Sequence, residues 1–223
     1  MPTYNDLAYG RGAPLTGDRT RTVFGQVMGL VALTCGCAAL GAYIGRNMAG
    51  GGGIAFFIGA FACIFGLQWA TRRGREQLAI GLLFGLGLFL GLAVAPVVDY
   101  YAKANPSIVY QAVGATGGFV ALLGAAGYAT RRDLSVYYRF FFFALIALIV
   151  FGLIALFVSI PHSNVIYAVL GLVIFGGFTV LDFNRLARTN MNMAVPIAAS
   201  IFLDIFNVFV LFLSLFGGGG NRN

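Results

Sequence analysis

Two aspartates stand out by their surroundings: Asp182 in FTVLDFNRL and Asp204 in IFLDIFNVFVLF. Asp204 has no other charge within ten residues on either side. A carboxylate in such apolar sequence is costly on lipid and must face protein or water. Two carboxylates a few ångströms apart in low dielectric do not both ionise readily; the pair shares a proton and can switch with pH. Oxygen ligands of this kind also suit hard cations. Asp182 and Asp204 with waters would hold Ca2+ weakly and transiently, which favours passage over storage. Structural alternatives exist for each acid. Asp204 could be protonated and bonded to Asn207 or a nearby carbonyl, and Asp182 could pair with Arg185 one turn on.

Ser200, Asp204, Asn207, Leu211 and Ser214 are spaced 4, 3, 4 and 3 apart and so share one helix face. Ser200 and Asn207 would extend the acid into a polar stripe on an otherwise apolar helix. An arginine at the inner end of the second helix would serve as counter-ion and latch. Arg72, Arg73 and Arg75 are the candidates, and each also acts as a topology charge. The other acids, Asp6, Asp18, Glu76, Asp99 and Asp133, are read as tail or loop residues.

The elements that must position these groups are apolar runs at 23–45, 54–70, 78–98, 108–129, 140–160, 165–186 and 194–216. Each is about 17–25 residues long, enough to cross ~30 Å of hydrocarbon as a helix. β-barrel spans would be shorter and would alternate. The last two runs are antiparallel with a short connection. Asp204 lies eight residues past Pro196, roughly 12 Å deep at about 1.5 Å per residue, and Asp182 lies about a turn from the inner end of its run, so the acids can meet. Eleven Lys and Arg fall on one side of the runs and three on the other, which puts the N-terminus inside. The expected organisation is a polar tail (1–21), one transmembrane domain (22–216) and a flexible tail (217–223). The first helix is read as an uncleaved signal-anchor, and a re-entrant last run is the alternative to a seventh span.

Composition agrees. Of 223 residues, 60% are apolar and 9% charged. A water-soluble fold could not cover its surface with so few charges, and disorder is excluded by the apolar mass. The net charge of +7 comes in small clusters between runs, without the basic stripe of a nucleic-acid binder. Cys35, Cys37 and Cys63 read as small packing residues without metal spacing. The pairs Gly25/Gly29, Gly41/Gly45, Gly81/Gly85, Gly87/Gly91 and Gly114/Gly118 would let helices approach closely. Trp69, Tyr137, Tyr138 and the phenylalanines at 140–143 read as an interfacial aromatic belt.

LDFNRL and SIFLDIFNVFVLFL, closing a seven-span chain with basic breaks at TRRGREQLAIG and ATRRDLS, resemble the Bax inhibitor-1 family, also called the transmembrane Bax-inhibitor-motif family. The likeness runs from about residue 21 to 216. It implies a seven-helix bundle with the last helix central, in the bacterial inner membrane, acting as a pH-sensitive calcium leak channel. Asp182 and Asp204 would be its di-aspartyl sensor, with Arg72 the best positional match for the latch. Another branch implies a modulator of a membrane-bound protease. Eukaryotic members end in a charged tail where GGGGNRN stands here, so tail-dependent and anti-apoptotic properties are not implied.

Rival chemistries fit poorly. A retinal protein needs a lysine in helix 7, and Lys103 is the only lysine. Presenilin-like proteases have Tyr-Asp and Gly-x-Gly-Asp, whereas Leu181 and Leu203 precede these acids. The single histidine, His162, sits at an outer loop, so no serine hydrolase is assembled. The expectation is a non-enzymatic cation leak pathway without a cofactor. The alternative is a regulatory membrane protein, partnered by a protease complex, that transports nothing.

Overall fold

The computed structural model describes residues 16–48, 52–158, 161–189 and 193–218. Its elements are α1 (Thr16–Gly45), α2 (Gly53–Arg72), α3 (Glu76–Ala104), α4 (Pro106–Ala129), a 3-10 turn (Ser135–Tyr137), α5 (Tyr138–Phe157), α6 (Ser163–Leu186) and α7 (Ala194–Gly218). All seven helices are long and apolar enough to cross a membrane. No strand occurs among the described residues. In hydrocarbon each backbone N–H needs a partner within its own segment, and a helix supplies it.

α7 packs against α1, α2, α3, α4 and α6, so the last helix is central. It is one unbroken helix of 25 residues, which answers the re-entrant alternative in favour of a full-length span. Around its first half a buried core gathers Val23 and Val27 of α1, Leu67 of α2, Leu83 of α3, Phe183 of α6, and Ile197 and Ile201 of α7. α5 is peripheral: it packs on α6, and of its described residues only Leu148 is buried.

Turn chemistry sets the connections. Gly74, at φ +66, makes the α2–α3 turn in a conformation that disfavours a side chain. The Asn105 carboxamide accepts from the Ser107 backbone N–H at 3.1 Å, and Pro106 opens α4 where its missing N–H costs nothing. Helices outrun their apolar cores. α3 continues to Ala104, and its last turns carry an ion pair of 2.6 Å between Asp99 and Lys103, one turn apart. Asp99 is thus helical rather than a loop residue, as are Asp18 in α1 and Glu76 at the start of α3.

Only some glycine pairs do what their spacing suggests. A Cβ on Gly41, Gly45, Gly87 or Gly91 would meet the facing helix at the α1–α3 crossing. Gly25, Gly29, Gly81, Gly114 and Gly118 face open space, and a Cβ on Gly85 would make ordinary contact with the Cys63 sulfur. Spacing alone does not reveal which helix face finds a partner.

Candidate functional site

The basic loops α2–α3, α4–α5 and α6–α7 share one end of the bundle, called here the basic end. Asp182 lies four residues before the end of α6 and Asp204 ten residues into α7. A Cα–Cβ bond tilts toward its helix N-terminus. In these antiparallel helices the tilt carries Asp182 away from the basic end and Asp204 toward it, so their side chains converge. The two carboxyls come within hydrogen-bonding reach of each other. Both are buried, at 4% and 5% exposure.

Asp182 has a second partner. The Tyr138 hydroxyl donates to its Oδ1 at 2.5 Å. Tyr138, placed in the interfacial belt from sequence, is instead turned inward from the first residue of α5, while its neighbour Tyr137 is exposed. Arg185 is close enough to attract the Asp182 carboxylate, yet among the described residues the one ion pair is Lys103–Asp99. Asp204 is the more isolated acid: its Oδ2 is buried and accepts no hydrogen bond.

The polar stripe contributes less than its spacing suggests. Ser200 donates to the Pro196 carbonyl (3.3 Å) and Asn207 to the Leu203 carbonyl (2.7 Å), each within its own helix. The arginine candidates also stay apart from the acids. Arg72 is exposed at the end of α2, and the guanidinium groups of Arg73 and Arg75 lie over the Trp69 ring, 4.7 and 5.3 Å from its centroid. For any of them to latch the carboxyls, its side chain would have to move. No cluster of three or more His, Cys, Asp or Glu side chains that could hold a metal ion occurs among the described residues.

Sequence reasoning missed Asn184, buried two residues from Asp182. Its Nδ2 donates to the carbonyls of Gly127 (3.2 Å), Thr130 (2.8 Å) and Arg132 (3.1 Å), and its Oδ1 accepts from the Leu134 N–H (3.2 Å). One side chain thus ties the end of α4 and the following loop to the acid-bearing turn of α6. Asn184→Ala is expected to cost about 2–3 kcal/mol, because it strands buried polar groups. It should also speed tryptic cleavage at Arg131 and Arg132. Unchanged cleavage and melting would show that the loop is held by something else.

Asp133 caps this loop by accepting from the Ser135 N–H at 2.9 Å. That bond, with smaller help from the Ser135 hydroxyl and Arg188, holds its carboxyl below the ordinary 3.8. The cap is therefore present above the ordinary carboxylate range and lost only as pH falls through the lowered value. A response nearer neutral pH cannot come from Asp133.

Beside the loop is a cavity of about 420 Å³ lined by Asp133, Ser135, Tyr138, Asn184, Arg185 and Arg188, among others. A larger groove of about 1270 Å³ lies between α1, α3, α4 and α7, with Phe202, Ile205 and Phe206 on its floor. Neither Asp182 nor Asp204 lines either space.

Seven apolar spans closing over two touching, buried carboxyls define a multi-pass membrane protein with an intramembrane acid pair. Residues 20–222 match the family described as Inhibitor of apoptosis-promoting Bax1, and the chain belongs to it. Bacterial relatives share the framework. A Helicobacter pylori protein described as uncharacterized is 28% identical over 169 residues, 75% of this chain and 73% of its own. An uncharacterized membrane protein of Vibrio cholerae is 30% identical over 136 residues, 60% and 61% of the two chains. Another from Streptococcus pyogenes is 29% identical over 162 residues, 69% of each.

Proposed function

We propose that this protein is a pH-sensitive cation leak pathway, with calcium as the cation to test first, gated by Asp182 and Asp204. The observation that carries the reading is the contact between two buried carboxyls on adjacent helices, one of them with an oxygen that accepts nothing. Such a pair is costly to keep inside a bilayer and offers what a gate needs, a change of charge with pH. Its oxygens suit a hard cation held briefly.

The test is calcium flux into proteoliposomes from mildly acidic to alkaline pH. Flux should change across that range in the wild type and lose the change in the Asp182→Asn/Asp204→Asn double variant; an unaltered response there overturns the reading. His162, the single histidine, lies exposed between α5 and α6. His162→Asn, which suits the left-handed backbone at φ 58, should keep the response.

The exposed basic end, with Arg72, Arg73, Arg131 and Arg132, favours a second reading as regulatory partner of a membrane-bound protease. That reading predicts co-purification and altered turnover of membrane substrates, both insensitive to the aspartates.

A further inference from the structure

We propose that Tyr138 is the seal between the cavity at the basic end and the Asp182–Asp204 pair, and that displacement of the start of α5 opens it. The gating part of this inference rests on the leak reading; the sealing part does not.

Three observations carry it. First, Tyr138 faces both ways. It lines the 420 Å³ cavity, which the two aspartates do not, and its hydroxyl is bonded to Asp182. Among the described residues no other side chain both borders that cavity and donates to the acid pair. Second, the cavity is built to hold water. Asp133, Ser135, Asn184, Arg185 and Arg188 put polar groups into its mainly apolar wall, and it has room for on the order of ten waters at about 30 Å³ each, so a space open to solvent stands one phenol ring from a buried carboxyl.

Third, the anchoring is uneven. The loop before α5 is pinned to α6 by Asn184 and by Arg188, which donates to the Arg131 carbonyl. α5 itself is held lightly, with Leu148 its one buried described residue. The Tyr138 ring leans on Phe178 of α6, centroids 6.4 Å apart, in a tilted contact. Shifting the first turn of α5 would carry Tyr138 off Asp182 and slide Phe141, which packs on Gly177 and Phe178, along α6 without opening the buried core, whereas moving α6 or α7 would break that core. The easy opening is therefore at the tyrosine.

The charged groups around Tyr138 give the seal a purpose. Asp182 and Arg185 face it from α6, Asp204 from α7, and Asp133 and Arg188 from the cavity wall. With the ring in place, a cation in the cavity meets two arginines and only Asp133 in return. With the ring displaced, it also meets the acid pair.

The full-length protein in liposomes is treated at one mildly acidic pH with a water-soluble carbodiimide and an amine, and modified carboxyls are located by peptide mass spectrometry. In the wild type, exposed Asp133 should react and Asp182 should be protected. Tyr138→Phe removes the hydroxyl and keeps the ring; Asp182 should react about tenfold faster, the cost of a hydrogen bond to a charged group. Tyr138→Ala should react faster still, and the exposed neighbour Tyr137→Ala at the wild-type rate.

Wild-type protection of Asp182 in both Tyr138 variants overturns the proposal, as does equal deprotection by Tyr137→Ala. Flux measured on the same variants separates the two readings. Tyr138→Ala should raise calcium flux, and exposure without a rise in a conducting protein overturns the gating role. Exposure with no flux in any variant, wild type included, overturns the leak reading and leaves the seal standing.

Discussion

Asp204→Asn should abolish the pH dependence of flux while leaving the protein at least as stable as the wild type. The combination matters more than either half. A buried polar residue kept for structure earns its place through hydrogen bonds, and removing it strands its partners at about 1–3 kcal/mol. Asp204 is not such a residue. Its Oδ2 is buried without a partner, its carboxyl reaches only another acid, and Asn207 spends its amide on its own helix. The side chain therefore has little to lose on replacement, and the cost of keeping a second acid in a dry interior disappears with it. Asp204→Leu also takes away the hydrogen-bonding contact with Asp182 and should be less stable than Asp204→Asn by about 1 kcal/mol.

Asp182 gives the contrast. Asp182→Asn keeps an oxygen for the Tyr138 hydroxyl and should be mild, whereas Asp182→Leu strands that hydroxyl and should destabilise. Thermal unfolding in detergent, run beside flux measurements, checks all four. A less stable Asp204→Asn protein with an intact pH response would assign Asp204 to structure instead.

The acid pair was legible from sequence because a carboxylate in apolar sequence is costly in lipid and must face protein or water, and the short α6–α7 connection lets the two meet. The seven spans were legible for a related reason: hydrocarbon leaves the backbone one local solution. What stayed hidden depended on rotation about helix axes. Tyr137 and Tyr138 are adjacent tyrosines beside a basic loop, which describes an aromatic belt, yet a residue's advance of about 100° sends one out and the other onto Asp182. Asn184 looked like an ordinary polar residue near a helix end; its four bonds run to residues 50 to 57 positions away, beyond any local pattern. The arginines of α2 were legible as topology charges, but sequence alone could not show that two of them lie over Trp69.

Glycine spacing carries the same ambiguity, and substitution should resolve it. Gly91→Ala is expected to cost about 3 kcal/mol or more, at the upper end for overpacking, because the added methyl overlaps backbone. Its neighbours would be the carbonyl oxygen, carbonyl carbon and Cα of Ala38 on α1, none of which can change rotamer to make room. Gly87 faces the Thr34 carbonyl and Gly41 the Leu88 carbonyl, so the helices meet backbone to backbone along this crossing. Apolar helices gain little from burying surface already in hydrocarbon; close packing and short contacts hold them together instead. Pushing α1 away from α3 removes the term that matters most. Gly118→Ala belongs to a pair of identical spacing, yet its methyl would meet nothing, and it should be neutral or more stable by up to about 1 kcal/mol through helix propensity. Thermal unfolding of the two variants in one detergent is the comparison. Equal effects would mean that α1 and α3 do not depend on this contact; opposite effects would show that a partner's backbone, rather than the motif, makes a glycine indispensable.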